Sequence, residues 1–265
     1  MGAGLSVQSS KDSRDALDRL KAALLFLPDS GENGFEGLVG ALLGSVTKVS
    51  FRLATSGSQD GQDGRGDGPM GAVSFEAKLY RTKLTKAVVN NKATDIIASS
   101  DPPDLWVLAA TSSLTTQIAA TLRAAFAQTE TSLLVLDWPA NTPLPPLAIL
   151  CAMAPEALCN FLALHWPEAI ARQTIEADIA ALTRLPDFTA RSATLRAELV
   201  TPALGAPIAL RVNRANYAAL FAKLDQAIHR FGHPSDGRCM VTRVAAARRA
   251  ERARSLSLPA KPRCQ

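Results

Sequence analysis

The sequence predicts an α/β fold, with a central mixed sheet flanked by helices and a mainly helical C-terminal region behind it. Three observations predict it. VSFEAKLY at 73–80 alternates apolar and polar residues, the period of a strand with two unlike faces. LWVLAA at 105–110 and LLVLDW at 133–138 are almost continuous apolar runs with a helical stretch between them, as parallel strands buried on both faces require. From about residue 146 an Ala/Leu-rich helical pattern takes over, broken at Pro155, Pro167, Pro186 and Pro202.

Each element follows from local pattern. Ala16, Leu17, Leu20, Leu24 and Leu27 share one face of a helix over 12–27, and Pro28 ends it. Phe35, Leu38, Val39, Leu42, Leu43 and Val46 repeat at helical spacing, with Asn33 expected as N-cap and Glu36 three residues on, as in a capping box. Val49, Phe51 and Leu53 alternate and predict a strand over 49–54. The Gly/Asp-rich stretch 56–71 has room for a short strand and tight turns, so a hairpin leads into 73–80. Residues 82–98 read as a helix with Leu84, Ala87, Val88, Ile96 and Ile97 inward, and a further helix lies at about 114–128. The predicted order is helix, helix, three strands, helix, strand, helix, strand. The Pro-rich PANTPLPPL after Trp138 marks a boundary, giving units 1–140, 141–231 and a basic, solvated tail 232–265.

Composition sets limits. Apolar residues make up 47% of 265, enough for a real core, and no apolar run approaches the roughly 18–20 residues that span a bilayer. MGAGLSVQSSKD lacks a basic segment followed by an apolar one, so no secretory signal is expected. Cys151, Cys159, Cys239 and Cys264 form no CxxC pair, and reduced thiols in a cytoplasmic protein are expected. The net charge of +5 is unevenly placed. Residues 232–265 carry +6, whereas 48–92 hold eight basic and four acidic residues, a local positive field of the kind a phosphate-binding cleft needs.

The chemistry gathers on one strand face. Glu76 and Lys78 stand two apart, so both leave the same side, roughly 6–7 Å apart along the chain. Taken alone this is what an exposed strand face also carries. Asp60, Asp63 and Asp67 lie in the Gly-rich loop that enters the strand, and a hairpin brings one of them to Glu76. Two carboxylates held close repel each other, and a cation between them relieves this. A solvated acidic loop is the plainer alternative; a calcium loop is disfavoured, because the D-x-[DN]-x-[DN]-G spacing is missing. His165, His229 and His233 neighbour no nucleophile. Gly37, Gly40 and Gly44 on one helix point to close packing, since no Lys-Ser/Thr follows them. Asp137, ending an apolar strand, fits a turn starter or a site residue.

GFEGLVGALLG at 34–44, SGSQDGQDG at 56–64 and VSFEAKLY at 73–80, in this order and on these elements, resemble the PD-(D/E)XK restriction-endonuclease-like superfamily. The nearest likeness is its Mrr-like branch, where a GFE helix precedes a Gly-flanked Asp and an acid-x-Lys strand. The resemblance covers about residues 30–138. It implies a restriction-endonuclease-like core and Mg2+- or Mn2+-dependent hydrolysis of DNA phosphodiesters. It places the first acid on Asp63, with Asp60 as alternative, the second on Glu76, the lysine on Lys78 and the helix acid on Glu36, a position that a capping box would fill equally well. Asp63 and Glu76 would hold the metal. Gln59, Tyr80, Arg81, Lys83, Lys86 and Lys92 are the expected nucleic-acid contacts. A catalytically silent DNA-binding or assembly module of the same fold, or a small-molecule phosphoesterase, fits the same residues. The layout is also similar to the N-terminal effector module of bacterial antiviral NTPases of the STAND type. That likeness implies a role in defence, a homo-oligomer, and an NTPase or sensor region encoded downstream or lost at the change of texture after Gly232.

Overall fold

The computed structural model describes residues 3–54, 62–69, 71–80, 86–127, 129, 131–165 and 169–202. In chain order the elements are α1 (Ala3–Leu25), α2 (Phe35–Thr47), β1 (Arg52–Leu53), β2 (Gly64–Gly68), β3 (Gly71–Lys78), α3 (Lys86–Ala98), β4 (Leu105–Ala110), α4 (Thr116–Phe126), β5 (Ser132–Leu136), α5 (Pro146–Met153), α6 (Pro155–Ala163), α7 (Ala169–Thr183) and α8 (Phe188–Val200). The expected order through β5 is present. The strands form one mixed five-stranded sheet in sequence order, antiparallel from β1 to β3 and parallel from β3 to β5.

The two parallel crossovers step the same way along the sheet. Right-handed connections therefore put α3 and α4 on one face. There Val89, Ala93, Ile96, Ile118, Leu122 and Phe126 meet Trp106, Leu108 and Ala110 of β4. The opposite face carries Val73, Phe75, Ala77, Leu105, Val107, Ala109, Leu134 and Leu136, and it is covered by α1, α2 and α5–α8 in one continuous core. The Pro-rich turn after Trp138 thus carries the chain back onto the core that the first two helices began. Arg19 of α1 and the buried Asp178 of α7 form a two-pronged ion pair across this layer. Cys151 and Cys159 are free, buried thiols, and burial pushes Cys151 up to about 12, so it stays protonated. Among the described residues no single helix is long and apolar enough to cross a membrane.

Three local expectations are corrected. Gly34, not Asn33, is the N-cap of α2, and no side chain caps it; the Glu36 carboxylate reaches back to accept the Gly31 N–H at 2.9 Å. The strand expected over 49–54 shrinks to Arg52–Leu53, because Val49 and Phe51 fold over β2 instead of pairing. The inward stripe of α3 is Val89, Ala93 and Ile96, while Ala87 and Ile97 are exposed. Leu84 and the side chain of Val88 lie outside the described residues, as do the tail and the helix expected at 214–231.

Small residues let β2 approach closely. A Cβ on Gly64 would stand 2.4 Å from Phe75 Cε1, and one on Gly68 would stand 2.8 Å from Val49 Cγ2. On α2, a Cβ on Gly37 would strike the Glu32 carbonyl, so this glycine admits the loop before the helix instead of a neighbouring helix.

Candidate active site

β3 has eight residues, and alternate side chains leave opposite faces. Val73, Phe75 and Ala77 enter the large core, so Ser74, Glu76 and Lys78 face the α3 side. That side is also covered, and Ser74 and Glu76 are both completely buried. The strand does not meet water with its charged face. It carries a carboxylate into the protein interior, where an isolated charge is costly.

Asp63 arrives from the hairpin. The β2–β3 ladder pairs Gly64 with Phe75, and one step further the register sets Asp63 opposite Glu76. The backbone of Asp63 is held on both sides. Its N–H donates to the Phe75 carbonyl at 2.8 Å, and its carbonyl accepts from the Ala54 N–H at 2.9 Å. Its Oδ2 accepts the Ala77 N–H at 2.8 Å. Gly64 is required beside it, since Phe75 leaves no space for a side chain there.

Lys78 joins the two acids. Its Nζ lies 2.5 Å from Glu76 Oε1 and 3.5 Å from Asp63 Oδ2. Lys92, on the inward side of α3, brings a second ammonium to 3.7 Å from the same Oε1. Glu76 Oε2 is buried with no hydrogen-bond partner among the described residues. Burial, then the Asp63 charge, push the Glu76 carboxyl up to about 7, against the pull of Lys78 and Lys92. Burial works to lower the Lys78 ammonium, yet the Glu76 and Asp63 charges outweigh it and raise Lys78 above its ordinary value, so it is a cation at neutral pH.

Of the sequence-predicted residues, Asp63, Glu76 and Lys78 come together. Glu36 stands at the margin. It feels Asp63, Lys78 and Lys92, but burial raises its pKa first and its Oε2 is committed to Gly31. Among the described residues no three His, Cys, Asp or Glu side chains converge as a metal cluster. Tyr80 packs its ring, half-buried, against the α3–α4 core and exchanges hydrogen bonds with Thr111 through its backbone. Gln59, Asp60, Arg81, Lys83 and the side chain of Lys86 lie outside the described residues. Asp137 is a tether rather than part of the site: its Oδ2 accepts the Leu114 N–H at 2.9 Å. His165 donates its Nε2–H to the Asn33 carbonyl at 2.7 Å and pins the loop before α2. A groove of about 900 Å³ between α2 and the 48–53 segment is lined by none of Asp63, Glu76 or Lys78.

The orientation of Lys92 toward Glu76 went unread, though the signal is present. With Val89, Ala93 and Ile96 inward, Lys92 completes an i, i+3, i+4, i+7 set and is the charged member of a buried stripe. Comparison with protein-family models, with curated proteins and with solved structures finds no match.

Proposed function

We propose that the chain is a divalent-metal-dependent nuclease of the PD-(D/E)XK restriction-endonuclease-like superfamily, hydrolysing DNA phosphodiester bonds in bacterial defence or restriction. One observation carries the reading. Two carboxylates, Asp63 just before β2 and Glu76 on β3, share the ammonium of Lys78, and both oxygens of the buried Glu76 lack a hydrogen-bond partner among the described residues. The donor set suits Mg2+ or Mn2+, hard cations that accept one or two carboxylates and keep water and substrate oxygens as further ligands. Asp63 and Glu76 would hold the ion, and it would supply Lewis-acid polarisation of the phosphate and a more acidic water.

The chain's own groups do the rest. Asp63 is fixed by its backbone ladder and by the Ala77 N–H, so its remaining oxygen is presented with little loss of freedom. Lys78 stays protonated beside both acids and can orient the attacking water and stabilise charge growing on the phosphate oxygens. The covering by α3 excludes bulk water and strengthens each of these interactions.

The test is plasmid cleavage by the purified chain with Mg2+ and with EDTA. Cleavage is expected with Mg2+ alone. Lys78→Ala is expected to lose at least about a hundred-fold in rate while keeping its circular dichroism spectrum. Full activity of that variant, or cleavage in EDTA, overturns the reading. DNA binding without cleavage identifies a silent module.

A further inference from the structure

We infer that Lys92 is the second fixed cation of this site and restricts it to a single divalent ion. The inference rests on the nuclease reading above and deepens it. Lys92 comes from α3, a separate element from the strands that carry the acids, and places Nζ 3.7 Å from Glu76 Oε1. Lys78 Nζ lies 2.5 Å from the same oxygen. Oε1 is thus ion-paired to two ammonium groups, and neither Oε1 nor Oε2 has a hydrogen-bond partner among the described residues.

Charge and donor count agree. Asp63 and Glu76 against Lys78 and Lys92 sum to zero when all four are ionised. One divalent ion brings the site to +2, matching the two negative charges of a phosphodiester joined by an attacking hydroxide. A second divalent ion would leave two uncompensated charges in a mostly covered site. It would also need carboxylate oxygens that Lys78 and Lys92 hold. Glu36 has one of its two oxygens, Oε2, engaged by the Gly31 N–H. Lys92 is one-third exposed, so it can be replaced without opening a cavity in the core.

Lys92 thus brings to Glu76 a positive charge that is fixed to the helix. Residues on the α3 stripe hold it there: Val89, Ala93 and Ile96 are buried around it. Lys92 is thus a positioning residue, acting through Glu76.

The experiment is calorimetric titration of the full chain with Mn2+ at pH 8, for the native chain, Lys92→Met and Lys92→Arg, alongside the plasmid assay. The native chain is expected to bind one Mn2+. Lys92→Met is expected to bind a second ion, or its first at least ten-fold more tightly, and Lys92→Arg is expected to restore the native isotherm. A native chain that takes two ions, or a Lys92→Met isotherm identical to the native one, overturns the inference. The two readings separate cleanly. Cleaving DNA with an unaltered Lys92→Met isotherm sinks the role of Lys92 and leaves the nuclease. An altered isotherm in a chain that cuts no DNA sinks the nuclease and leaves Lys92. A native chain that binds no Mn2+ sinks both.

Discussion

The two faces of β3 differ by one residue step in sequence and by their whole chemistry. Val73, Phe75 and Ala77 pack into a dry apolar layer with α1, α2 and α5–α8. Ser74 and Glu76 enter a covered space and Lys78 stands at its partly exposed edge, yet Ser74 Oγ, both Glu76 oxygens and, across the ladder from Ser74, Trp106 Nε1 have no hydrogen-bond partner among the described residues. Buried polar groups are nearly always paired, so an unpaired row on one face marks a place where stability has been given up. One face holds the strand in position; the other uses that position.

Substitutions on the two faces are expected to have opposite effects. Phe75 is fully buried and closes over Gly64. Phe75→Ala is expected to destabilise the chain by about 3–5 kcal/mol, read as a lower denaturant midpoint. Lys78→Ala, three residues on and across the strand, is expected to change the midpoint much less and to remove cleavage. If both variants lose stability equally, the charged face is only another part of the scaffold.

A pH scan of metal-free protein probes the charged face alone. Glu76 has its ordinary pKa near 4.5 when unfolded and about 7 when folded, raised chiefly by burial and then by Asp63. The folded state therefore binds the proton more tightly. Stability from this group is present at low pH and is lost as pH rises from about 4.5 through 7, by about 3 kcal/mol in all at roughly 1.4 kcal/mol per unit. Glu76→Gln is expected to flatten that slope, and a slope unchanged in this variant would assign the loss to another group.

Much of this was legible in the sequence, for reasons that can be named. β4 and β5 are apolar on both faces, so their runs admit few other readings. The alternation in β3 separates its faces because Phe75 and Glu76 are so unlike. What failed was phase and capping. In α3, Ala and Ile stand at several positions, and Ala87 with Ile97 imitates an inward stripe that the packing assigns to Val89, Ala93 and Ile96. The phase of α3 is what brings Lys92 beside Glu76. β1 is shorter than expected because Val49 and Phe51 cover Gly66 and Gly68 instead of pairing, and a pattern of apolar residues does not record which neighbour they cover. Register was readable only in part. Strand alternation placed Glu76 and Lys78, whereas Asp63 depended on where the hairpin turned.

Gly64 offers a smaller test on the apolar face. A methyl group there would meet Phe75 Cε1 at 2.4 Å, so ring and strand must shift. Gly64→Ala is expected to cost about 1–3 kcal/mol. Because Asp63 is the adjacent residue, the variant is also expected to weaken Mn2+ binding, measurable by the same titration. Loss of stability with unchanged Mn2+ affinity would show that Asp63 is not held by this strand edge.

The smallest expected effect decides between two roles for one side chain. Glu36 was open to a capping box or a metal site, and its carboxylate in fact accepts the Gly31 N–H across the loop before α2. Gly31 has a positive φ, and His165 fastens the same loop at Asn33, so the loop is tied at two points and Glu36 supplies one of them. Glu36→Ala is expected to lower stability by about 1 kcal/mol, the worth of one hydrogen bond to a charged group at a partly exposed position. Its effect on Mn2+ affinity is expected to be under three-fold, because Asp63, Lys78 and Lys92 feel its charge while none of them binds it. Glu36→Gln retains an acceptor for Gly31 and removes the charge, so it is expected to recover most of the stability. A large fall in Mn2+ affinity in Glu36→Gln, with stability intact, would move Glu36 from the margin of the site to its centre.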